Sequence, residues 1–492
     1  MIDTKALREK ILDLAMRGKL VPQDPNDEPA SELLKRIKAE KEELIKQKKI
    51  KRDKNETEIF RGDDGLHYEK FTDGTVKEIE VPYELPVGWE WARIASATKN
   101  ITAGGDKPKE VSSEKTNDFQ IPIYSNGIKD NGLYGWAKEA KVFEPSVTVS
   151  ARGTIGFTAI RNHPFVPIVR LISVTPLEKT VDVSFLKYML SHLIPTGEGT
   201  SIPQLTVPGL KPFLIALPPY HEQLKIVQSI KSYLKLIDEI DNNQLELNNI
   251  TVQLKQKVLD VAMQGKLVPQ DPNDEPASVL LEKIRAEKLK LFEEGKLKKK
   301  DLVETEIVKG DDNAYYEKLP DSWNCVTLSS IVDYRMGKTP DTKNEAYWIG
   351  PGFPWVSIAD MGKNRYVTST SRTVTEKALS EVFNHIVSPK GTLIMSFKLS
   401  IGKVGLLNQD SVHNEAIISI FPYLNDDYSL RDYLFCILPV VSNSGETVSA
   451  IKGKTLNSKK IDALPIPLPP VREQREISQT INKLYRILEV FS

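Results

Sequence analysis

The chain contains two copies of one long unit. The 14-residue segment GKLVPQDPNDEPAS occurs unchanged at residues 18–31 and again at residues 265–278. Matching continues on both sides of it, because KILDLAM returns as KVLDVAM, and ETEI and GDD also occur in both copies. The period is about half of the 492 residues, so each unit must be a whole domain with its connecting helices rather than a solenoid repeat.

A second series of matches divides each unit into constant and variable parts. ELPVGWEW matches KLPDSWNC and LPPYHEQLKI matches LPPVREQREI, whereas the stretches between them differ. Short β-rich runs and turn clusters fill both variable stretches, which predicts an α+β chain with two α/β globular domains. The predicted regions are an N-terminal helical region at 1–84, a first variable domain at 85–216, a central region at 217–318, a second variable domain at 319–467 and a C-terminal helix at 468–492.

A long amphipathic helix is predicted after LPPYHEQ. Apolar residues recur there at alternating steps of three and four, the pattern of a coiled-coil seam, and indicate one helix of roughly 40 residues, about 60 Å long. The seam consists of Ile230, Tyr233, Ile237, Ile240, Gln244, Leu247, Thr251, Leu254, Val258 and Val261.

The two termini carry the halves of a second such seam. The C-terminus repeats the first half with Ile477, Ile481, Leu484, Leu488 and Phe491, and the N-terminus supplies the second half with Leu7, Ile11 and Leu14. We therefore expect the termini to rebuild the central helix and to pair with it as long antiparallel coiled-coil helices, in a pseudo-two-fold, quasi-cyclic arrangement.

Charge and cysteine content exclude several classes of protein. The 67 Lys and Arg residues balance 67 Asp and Glu residues, so any basic surface must be local. Cys325 and Cys436 lack metal-ligand spacing and the six histidines show no i, i+4 pairing, which argues against a metal site and favours buried cysteines in a reducing compartment. The charged N-terminus and the lack of a long apolar run predict a cytoplasmic protein without a membrane segment.

Loops in the variable domains carry residue types that contact DNA. Lys, Arg and glycine-loop amides hold phosphates, while Asn, Gln, Ser and Arg match the donors and acceptors of base edges. For any single residue, ordinary turn chemistry is an equal alternative. The candidates are Gly104, Gly105, Lys107, Lys109, Ser125, Asn126, Asn131 and Tyr134 in the first domain and Arg335, Lys338, Thr339, Lys343 and Trp348 in the second.

Two further segments occur in pairs. SARGTIG at residues 150–156 and SFKLSIG at residues 396–402 each place a cation before a glycine, which predicts a phosphate clamp, and TSIPQLTVPGLK pairs with SAIKGKTLNSKK. Trp89 and Trp323, where the variable domains begin, are predicted to be core anchors. The candidate DNA-binding residues in the paired segments are Arg152, Thr154, Gln204, Lys211, Lys398, Ser400, Lys403, Lys452, Lys454 and Asn457.

In combination, these motifs resemble those of type I restriction-modification specificity subunits (HsdS), over essentially the whole chain. The resemblance rests on the duplicated LP-x-x-W and LPP-x-x-EQ-x-x-I motifs, the AM-x-GKLVPQDPNDEPAS segments and the GGDKP and GKTP loops. It implies two target-recognition domains, each reading one half of a bipartite, asymmetric sequence in double-stranded DNA, and helices that set the spacer between the halves.

The resemblance also implies partners and cofactors. Two modification subunits, which methylate adenine N6 with S-adenosylmethionine, are expected on the shared helices, and motor-nuclease restriction subunits are expected to join them. ATP and Mg²⁺ are likewise expected on the partner subunits. The chain itself is expected to bind none of these cofactors and to contribute no catalytic residue and no metal site.

Two other functions are open to the same sequence. A fused adenine-N6 DNA methyltransferase, as in a type II restriction-modification protein, is suggested by LPPY at residues 217–220, but Leu217 has no side-chain acceptor for an amino group and the second copy reads LPPV. GKT at Gly337 and at Gly453 lacks the earlier glycine of a phosphate-binding loop. A structural coiled-coil adaptor explains the helices but leaves two different globular domains without a role.

Overall fold

The chain folds as two compact units, Met1–Gln244 and Leu245–Ser492. The computed structural model describes residues 1–53, 56–194, 197–198, 204–302, 319–362, 364–443, 448–450 and 453–490. Within those residues, no helix combines the length and the apolar character that crossing a bilayer requires.

Helices frame the globular part of the first unit. They are α1 (Thr4–Met16), α2 (Ala30–Lys46), α3 (Ile94–Ala97), α4 (Val183–Leu193), α5 (Val207–Leu210) and the first part of α6 (Tyr220–Met263). Asp3 caps α1 by accepting a hydrogen bond from the Ala6 amide at 2.9 Å. The proline-rich segment after α1 is not helical, and α2 begins at Ala30, as the sequence predicts.

Short strands form the sheets of the first unit. They are β1 (Thr57–Arg61), β2 (His67–Phe71), β3 (Val76–Ile79), β4 (Glu90–Arg93), β5 (Asn100–Ala103), β6 (Ile121–Tyr124), β7 (Leu133–Ala137), β8 (Ser146–Val149), β9 (Thr154–Ile155), β10 (Thr158–Arg161), β11 (Val166–Pro167), β12 (Ile172–Thr175), β13 (Gly197–Glu198) and β14 (Leu214–Leu217). The main sheet has the antiparallel order β10-β8-β12-β5. The others are a β1-β2-β3 meander, a β11-β6-β7 sheet in which β11 runs parallel to β6, and the pairs β13-β9 and β14-β4.

The core of the first unit lies between α4 and the main sheet. Phe185, Leu186 and Met189 recur along α4 at helical spacing and are at most 1% exposed. Full burial of such a side chain stabilises the fold by about 1.5–3 kcal/mol. The same cluster continues through Trp89 to Leu33 of α2, so the helical region and the variable domain share one core.

The second unit repeats this plan. Its helices are the end of α6, α7 (Ala277–Glu293), α8 (Leu328–Ile331), α9 (Glu376–Glu381), α10 (Ser429–Val441), α11 (Ser458–Asp462) and α12 (Val471–Glu489). On α10, Tyr433, Leu434 and Ile437 are fully buried, and their cluster extends to Trp323 and to Ile284 of α7. The two units therefore build their cores in the same way.

The strands of the second unit form a larger main sheet. They are β15 (Asn324–Thr327), β16 (Val332–Met336), β17 (Gly352–Val356), β18 (Tyr366–Val367), β19 (Arg372–Thr375), β20 (Leu393–Ser396), β21 (Val404–Leu407), β22 (Val412–His413), β23 (Ile417–Pro422), β24 (Val448–Ala450), β25 (Gly453–Thr455) and β26 (Pro465–Leu468). The main sheet has the order β16-β23-β20-β21-β18, with β18 parallel to β21. A β19-β17-β22 sheet and the pairs β15-β26 and β24-β25 complete the unit.

In each unit, the start of the variable domain pairs with its end. β4 lies antiparallel to β14 with Trp91 opposite Ala216, and β15 lies antiparallel to β26 with Cys325 opposite Pro467. Both ends of each domain therefore meet immediately before a long helix, α6 in the first unit and α12 in the second.

The long central helix is confirmed, but its predicted seam is only partly correct. α6 is one helix of 44 residues. Ile230, Ile237 and Thr251 are buried as predicted. The remaining seam positions split between partly buried and exposed residues, and the prediction is wrong at three of them: Tyr233, Leu247 and Leu254, whose exposed fractions are 45%, 39% and 45%.

Polar contacts explain part of this difference. In the first unit α1 meets α6 through hydrogen bonds from Thr4 to Asp241 at 2.6 Å and from Arg8 to Asp238 at 2.7 Å. The partner number falls as the α1 number rises, so α1 is antiparallel to this part of α6. Polar pairing of this kind does not require the apolar seam to face α1.

The C-terminal helix contacts the other part of α6. The Tyr485 hydroxyl of α12 donates a hydrogen bond to the Lys255 carbonyl oxygen at 3.1 Å, and Ile477 and Ile481 are buried. Phe491, the last residue of the predicted seam, lies outside the described residues. Each terminal helix thus contacts α6 within its own unit, while the quasi-cyclic arrangement of the whole chain stays a prediction.

Candidate nucleic-acid interface

A buried hydrogen-bond cluster joins each variable domain to the helix that follows it. Trp89 Nε1 donates to Glu222 Oε2 at 3.0 Å, and Gln23 Nε2 donates to Oε1 of the same carboxylate at 3.1 Å. Both tryptophans are buried core anchors, as predicted. The second unit repeats the cluster with Trp323, Gln270 and Glu473. We call these two clusters the tryptophan clamps.

The repeated LPP-x-x-EQ motif is explained by the same geometry. Its glutamate is the clamp carboxylate, and its glutamine ties the helix start to the preceding prolines. Gln223 Nε2 donates to the Pro218 carbonyl at 3.1 Å, and Gln474 Nε2 donates to the Pro469 carbonyl at 2.8 Å. LPPY at residues 217–220 therefore forms the end of β14 and the start of α6.

The predicted glycine loop of the first domain is partly used by the fold. The Gly104 amide donates to the Leu171 carbonyl at 2.8 Å, and Gly105 forms a parallel bridge with Ile168. A Cβ on Gly104 would lie 2.6 Å from the Pro167 carbonyl carbon, so the close backbone approach requires glycine. The Gly104 amide is therefore not available to bind a phosphate, which corrects that part of the prediction.

The cations after this loop point outward. Lys107 and Lys109 are exposed, and Lys107 Nζ lies 3.4 Å from the hydroxyl of Tyr134, which comes from a separate predicted loop. Two predicted segments therefore meet at one surface, where a cation and an aromatic hydroxyl lie side by side.

Asn126 connects two predicted segments through its side chain. Its Oδ1 accepts from the Ala151 amide at 2.8 Å and its Nδ2 donates to the Val169 carbonyl at 2.6 Å. Both polar side-chain atoms of Asn126 are therefore hydrogen-bonded to backbone groups. Asn126 lies at the base of the loop that includes Ser125 and Asn131. The neighbouring Arg152 is exposed.

The last candidates of the first domain differ in exposure. Gln204 is exposed, and the next residue, Leu205, donates its amide to the Ala151 carbonyl, so Gln204 lies near Arg152. Lys211 is half-buried and paired with Asp53 at 2.7 Å, so its charge is already neutralised.

In the second domain the GKTP loop is pinned to the sheet. The Gly337 amide donates to the Ile417 carbonyl at 3.0 Å and the Lys338 amide donates to the His413 carbonyl at 2.9 Å. Lys338 Nζ donates to the Val382 carbonyl at 2.7 Å, and Thr339 donates to Glu415. The Lys338 and Thr339 side chains are exposed yet already hydrogen-bonded within the domain.

Trp348 belongs to an aromatic pair that the sequence did not predict. Its ring packs edge-on against Trp355 with centroids 5.2 Å apart, and the guanidinium of exposed Arg372 lies 3.6 Å from its centroid. A stacked guanidinium keeps its donors free for phosphates or base edges. Arg372 lies in a strand of ordinary composition, so no local signal marks it. Lys343 is exposed, and so is Arg335, whose guanidinium lies 4.8 Å from the centroid of the Phe421 ring.

The two turns that were predicted to bind phosphate, at residues 150–156 and 396–402, are equivalent in structure. Ser150 donates its amide to the Phe157 carbonyl and Gly156 donates its amide to the Ser150 carbonyl. The second unit repeats both bonds in the turn that carries Lys398 and Ser400. Lys403 just beyond it is half-buried, and its Nζ donates to the Ile358 carbonyl at 2.8 Å. Of these cations, Arg152 is the most open to solvent contact.

The last segment of the second domain is described in part. Asn457 caps α11 by accepting a hydrogen bond from the Lys460 amide at 2.9 Å. Lys452 lies outside the described residues, and Lys454 lies in β25. DNA contact by any of these candidates stays a prediction.

Comparisons with known proteins point in one direction. The family model of the type I restriction modification DNA specificity domain matches residues 86–249 and 320–490. The specificity subunit of the type I restriction enzyme EcoAI from Escherichia coli is 33% identical over 398 residues, with 68% of this chain and 63% of that protein covered. The EcoEI specificity subunit, also from Escherichia coli, is 27% identical, with 99% and 89% covered.

A solved structure is similar in fold. That structure is described in connection with complex assembly and conformational transition of the type I R-M system. The TM-score is 0.52 at 17% identity, and the alignment covers 83% of this chain and 93% of that chain.

Proposed function

The chain belongs to the family of type I restriction-modification specificity subunits, and from that premise we propose that it selects the DNA sequence on which such a system acts. Each variable domain reads one half of a bipartite target. The observation that carries the proposal is a duplicated frame with unlike loops: both units use the same tryptophan clamp, but the equivalent turns that carry Arg152 and Lys398 differ in sequence. Unlike loops present unlike donors and acceptors, so the two half-sites differ and the target is asymmetric.

The helices supply the spacing between half-sites in this proposal. α6 has 44 residues, which corresponds to about 66 Å of helix. Two domains that read the same face of a duplex must be separated by about one helical turn of DNA, roughly 34 Å, or by a multiple of that distance. A continuous helix is stiff enough to hold such a distance.

Chemistry is assigned to partner subunits. Two modification subunits bind S-adenosylmethionine and methylate adenine N6, and restriction subunits use ATP and Mg²⁺, while this chain binds DNA and holds the assembly together. Residues 217–220, LPPY, form the end of β14 and the start of α6, which supports a structural role for this motif over the methyltransferase alternative.

Exchange of residues 85–216 for the equivalent stretch of a relative tests the proposal. Methylation mapping in cells that carry the complex should show one half-site changed and the other retained. A change in both halves contradicts separate reading by the two domains. Tight S-adenosylmethionine binding by this chain alone favours the methyltransferase alternative. If the chain shows no salt-dependent binding to random duplex DNA, the structural adaptor is favoured.

A further inference from the structure

The first unit contains a cavity that the proposed function does not explain. It has a volume of about 540 Å³ and lies between β10, α4 and the first part of α6. Three cations line it, one from each element: Arg161, Lys187 and Lys231. Among the described lining residues none is acidic, and Ser184, Asn131 and Tyr188 add polar groups.

The charge of Arg161 is held by neutral groups. Its Nε donates to Thr148 Oγ1 at 3.0 Å, its Nη2 donates to the Asn131 carbonyl at 2.6 Å, and its guanidinium lies 3.5 Å from the centroid of the Tyr124 ring. Burial lowers the pKa of Arg161 and of Lys187, which is the expected effect of removing a cation from water without a carboxylate partner. An anion in the cavity would relieve that cost.

The second unit provides an internal comparison. Counting five residues from Gly156 and from Gly402 makes Leu407 the counterpart of Arg161, and counting fourteen from each LPP leucine makes Asn482 the counterpart of Lys231. The buried pairs Phe185-Leu186 and Tyr433-Leu434 align the two helices, so that Asp432 replaces Ser184 and Phe435 replaces Lys187.

In the second unit this corner already contains its own ion pair. Arg365 Nη2 lies 2.8 Å from Asp432 Oδ2, its Nη1 donates to Asn482 Oδ1 at 3.4 Å, and its guanidinium lies 4.7 Å from the Phe435 ring centroid. The first unit has three cations and a serine at the corresponding place. The fold therefore does not require a cation at any of the three counterpart positions, and it does not require the cavity to be open.

We propose that the cavity binds a phosphate group of the DNA backbone, held by Lys187 and Lys231 beside Arg161. This inference rests on the proposed function. DNA is favoured over an acidic protein partner because Arg161 is bonded to Asn131, in the loop whose base is tied to the Arg152 turn, so the cavity adjoins the candidate interface. Such a contact anchors the first domain on the duplex without reading bases.

Two variants of the full chain test the site. Lys187→Gln with Lys231→Gln removes two charges but keeps most of the side-chain volume. Ser184→Asp imports the carboxylate that the second unit has at Asp432. The matched control is Lys35→Gln with Lys46→Gln, which removes two exposed charges from α2. Circular dichroism and thermal melting verify that each variant is folded.

The measurement is the affinity for random-sequence duplex DNA as a function of salt concentration. Each phosphate contact contributes about 0.9 to the magnitude of the slope of log affinity against log salt, so the double variant should reduce that magnitude by about 1. Ser184→Asp should lower it in the same direction, and the control should leave it unchanged. Slopes equal to that of the unaltered chain in both test variants would overturn the phosphate site.

Failure of the site and failure of the proposed function give different results. If the unaltered chain binds duplex DNA with a steep salt dependence that both variants retain, only the phosphate site is wrong. If the unaltered chain shows no salt-dependent binding, the proposed function is wrong as well. Loss of assembly with partner subunits at an unchanged salt slope would assign the cavity to an acidic protein partner and overturn the inference.

Discussion

At the scale of single residues, the tryptophan clamps are the features that link the repeated motifs to the fold. A carboxylate that is buried at the first turn of a helix requires donors, and the indole and the glutamine amide provide them. Burial raises the pKa of Glu222 and of Glu473, while the hydrogen bonds from tryptophan and glutamine act in the opposite direction. The identical GKLVPQDPNDEPAS segments are thus accounted for in part by the glutamine that each contributes.

Trp323→Phe should destabilise the second unit. The change removes the donor to Glu473 and leaves a buried acceptor with fewer bonds, which costs about 1–3 kcal/mol of unfolding free energy. Chemical denaturation measures the loss, and Trp136→Phe, a half-buried ring outside the clamp, is the control. An equal loss in both variants would mean that ring packing, and not the hydrogen bond, is responsible.

The clamp carboxylates should also give a characteristic pH dependence. Their folded-state pKa values lie above the ordinary value of 4.5, so the folded state binds protons more tightly than the unfolded state. Stability from these groups is therefore greatest below pH 4.5 and falls as pH rises through the raised pKa. The variant with both residues replaced (Glu222→Gln and Glu473→Gln) should lack this fall, so the difference in melting temperature between variant and parent should change with pH across this range. A difference that is independent of pH would contradict a raised pKa.

At the scale of elements, the paired ends of each variable domain determine how that domain is attached to the helix that follows it. β4 with β14 and β15 with β26 bring both ends of a variable domain to the start of a helix. A domain joined in this way can change its loops without changing its connection to the helix. Variation at the reading surface is therefore compatible with a constant frame.

Lengthening α6 between residues 234 and 254 tests its role as a spacer. An insertion of about seven residues, two helical turns, adds about 10.5 Å, which corresponds to about three base pairs of DNA. Methylation mapping should show a longer spacer with both half-sites retained. Substitution of Asn242 and Asn243 by Ala, without insertion, should leave the spacer unchanged. Altered half-sites at the original spacing would contradict the role proposed for α6.

At the scale of the whole molecule, exposed apolar residues on α6 form the surface at which we expect the proposed modification subunits to bind. Leu245 and Val252 are 63% and 68% exposed and lie seven residues apart, so they occupy one side of the helix. Apolar side chains in such a row are typical of protein interfaces. The proposed modification subunits are the partners that fit this surface.

Leu245→Gln with Val252→Gln should weaken assembly with modification subunits. Burial of each apolar side chain contributes about 1.5–3 kcal/mol, so loss of both should weaken the affinity by about a hundredfold or more. The melting temperature of the chain itself should not fall, because both side chains are exposed. Leu289→Gln, a 53% exposed residue of α7, is the control. Unchanged affinity in the double variant would place the partner elsewhere.

Local patterns in the sequence were enough for much of the frame. The repeat predicted two similar units, the three-and-four spacing predicted a helix that proved to be α6, and the prolines predicted the break before Ala30. Trp89 and Trp323 were correctly expected in the core. Each of these properties depends either on residues close together in the chain or on the similarity of two segments. Local patterns and segment similarity can both be recognised in the amino-acid sequence alone.

Tertiary structure alone decided which side of a helix is covered and which loop groups are free. Tyr233, Leu247 and Leu254 match the seam yet are exposed, and the Gly104 amide is consumed by a carbonyl 67 residues away in the chain. Arg161, Lys187 and Lys231 line one cavity although they lie on three separate elements. Sequence by itself determined the repeated helices and domains, because helical periodicity and capping are local. The covered faces, the engaged amides and the charged cavity depend on contacts between distant segments, which only packing brings together.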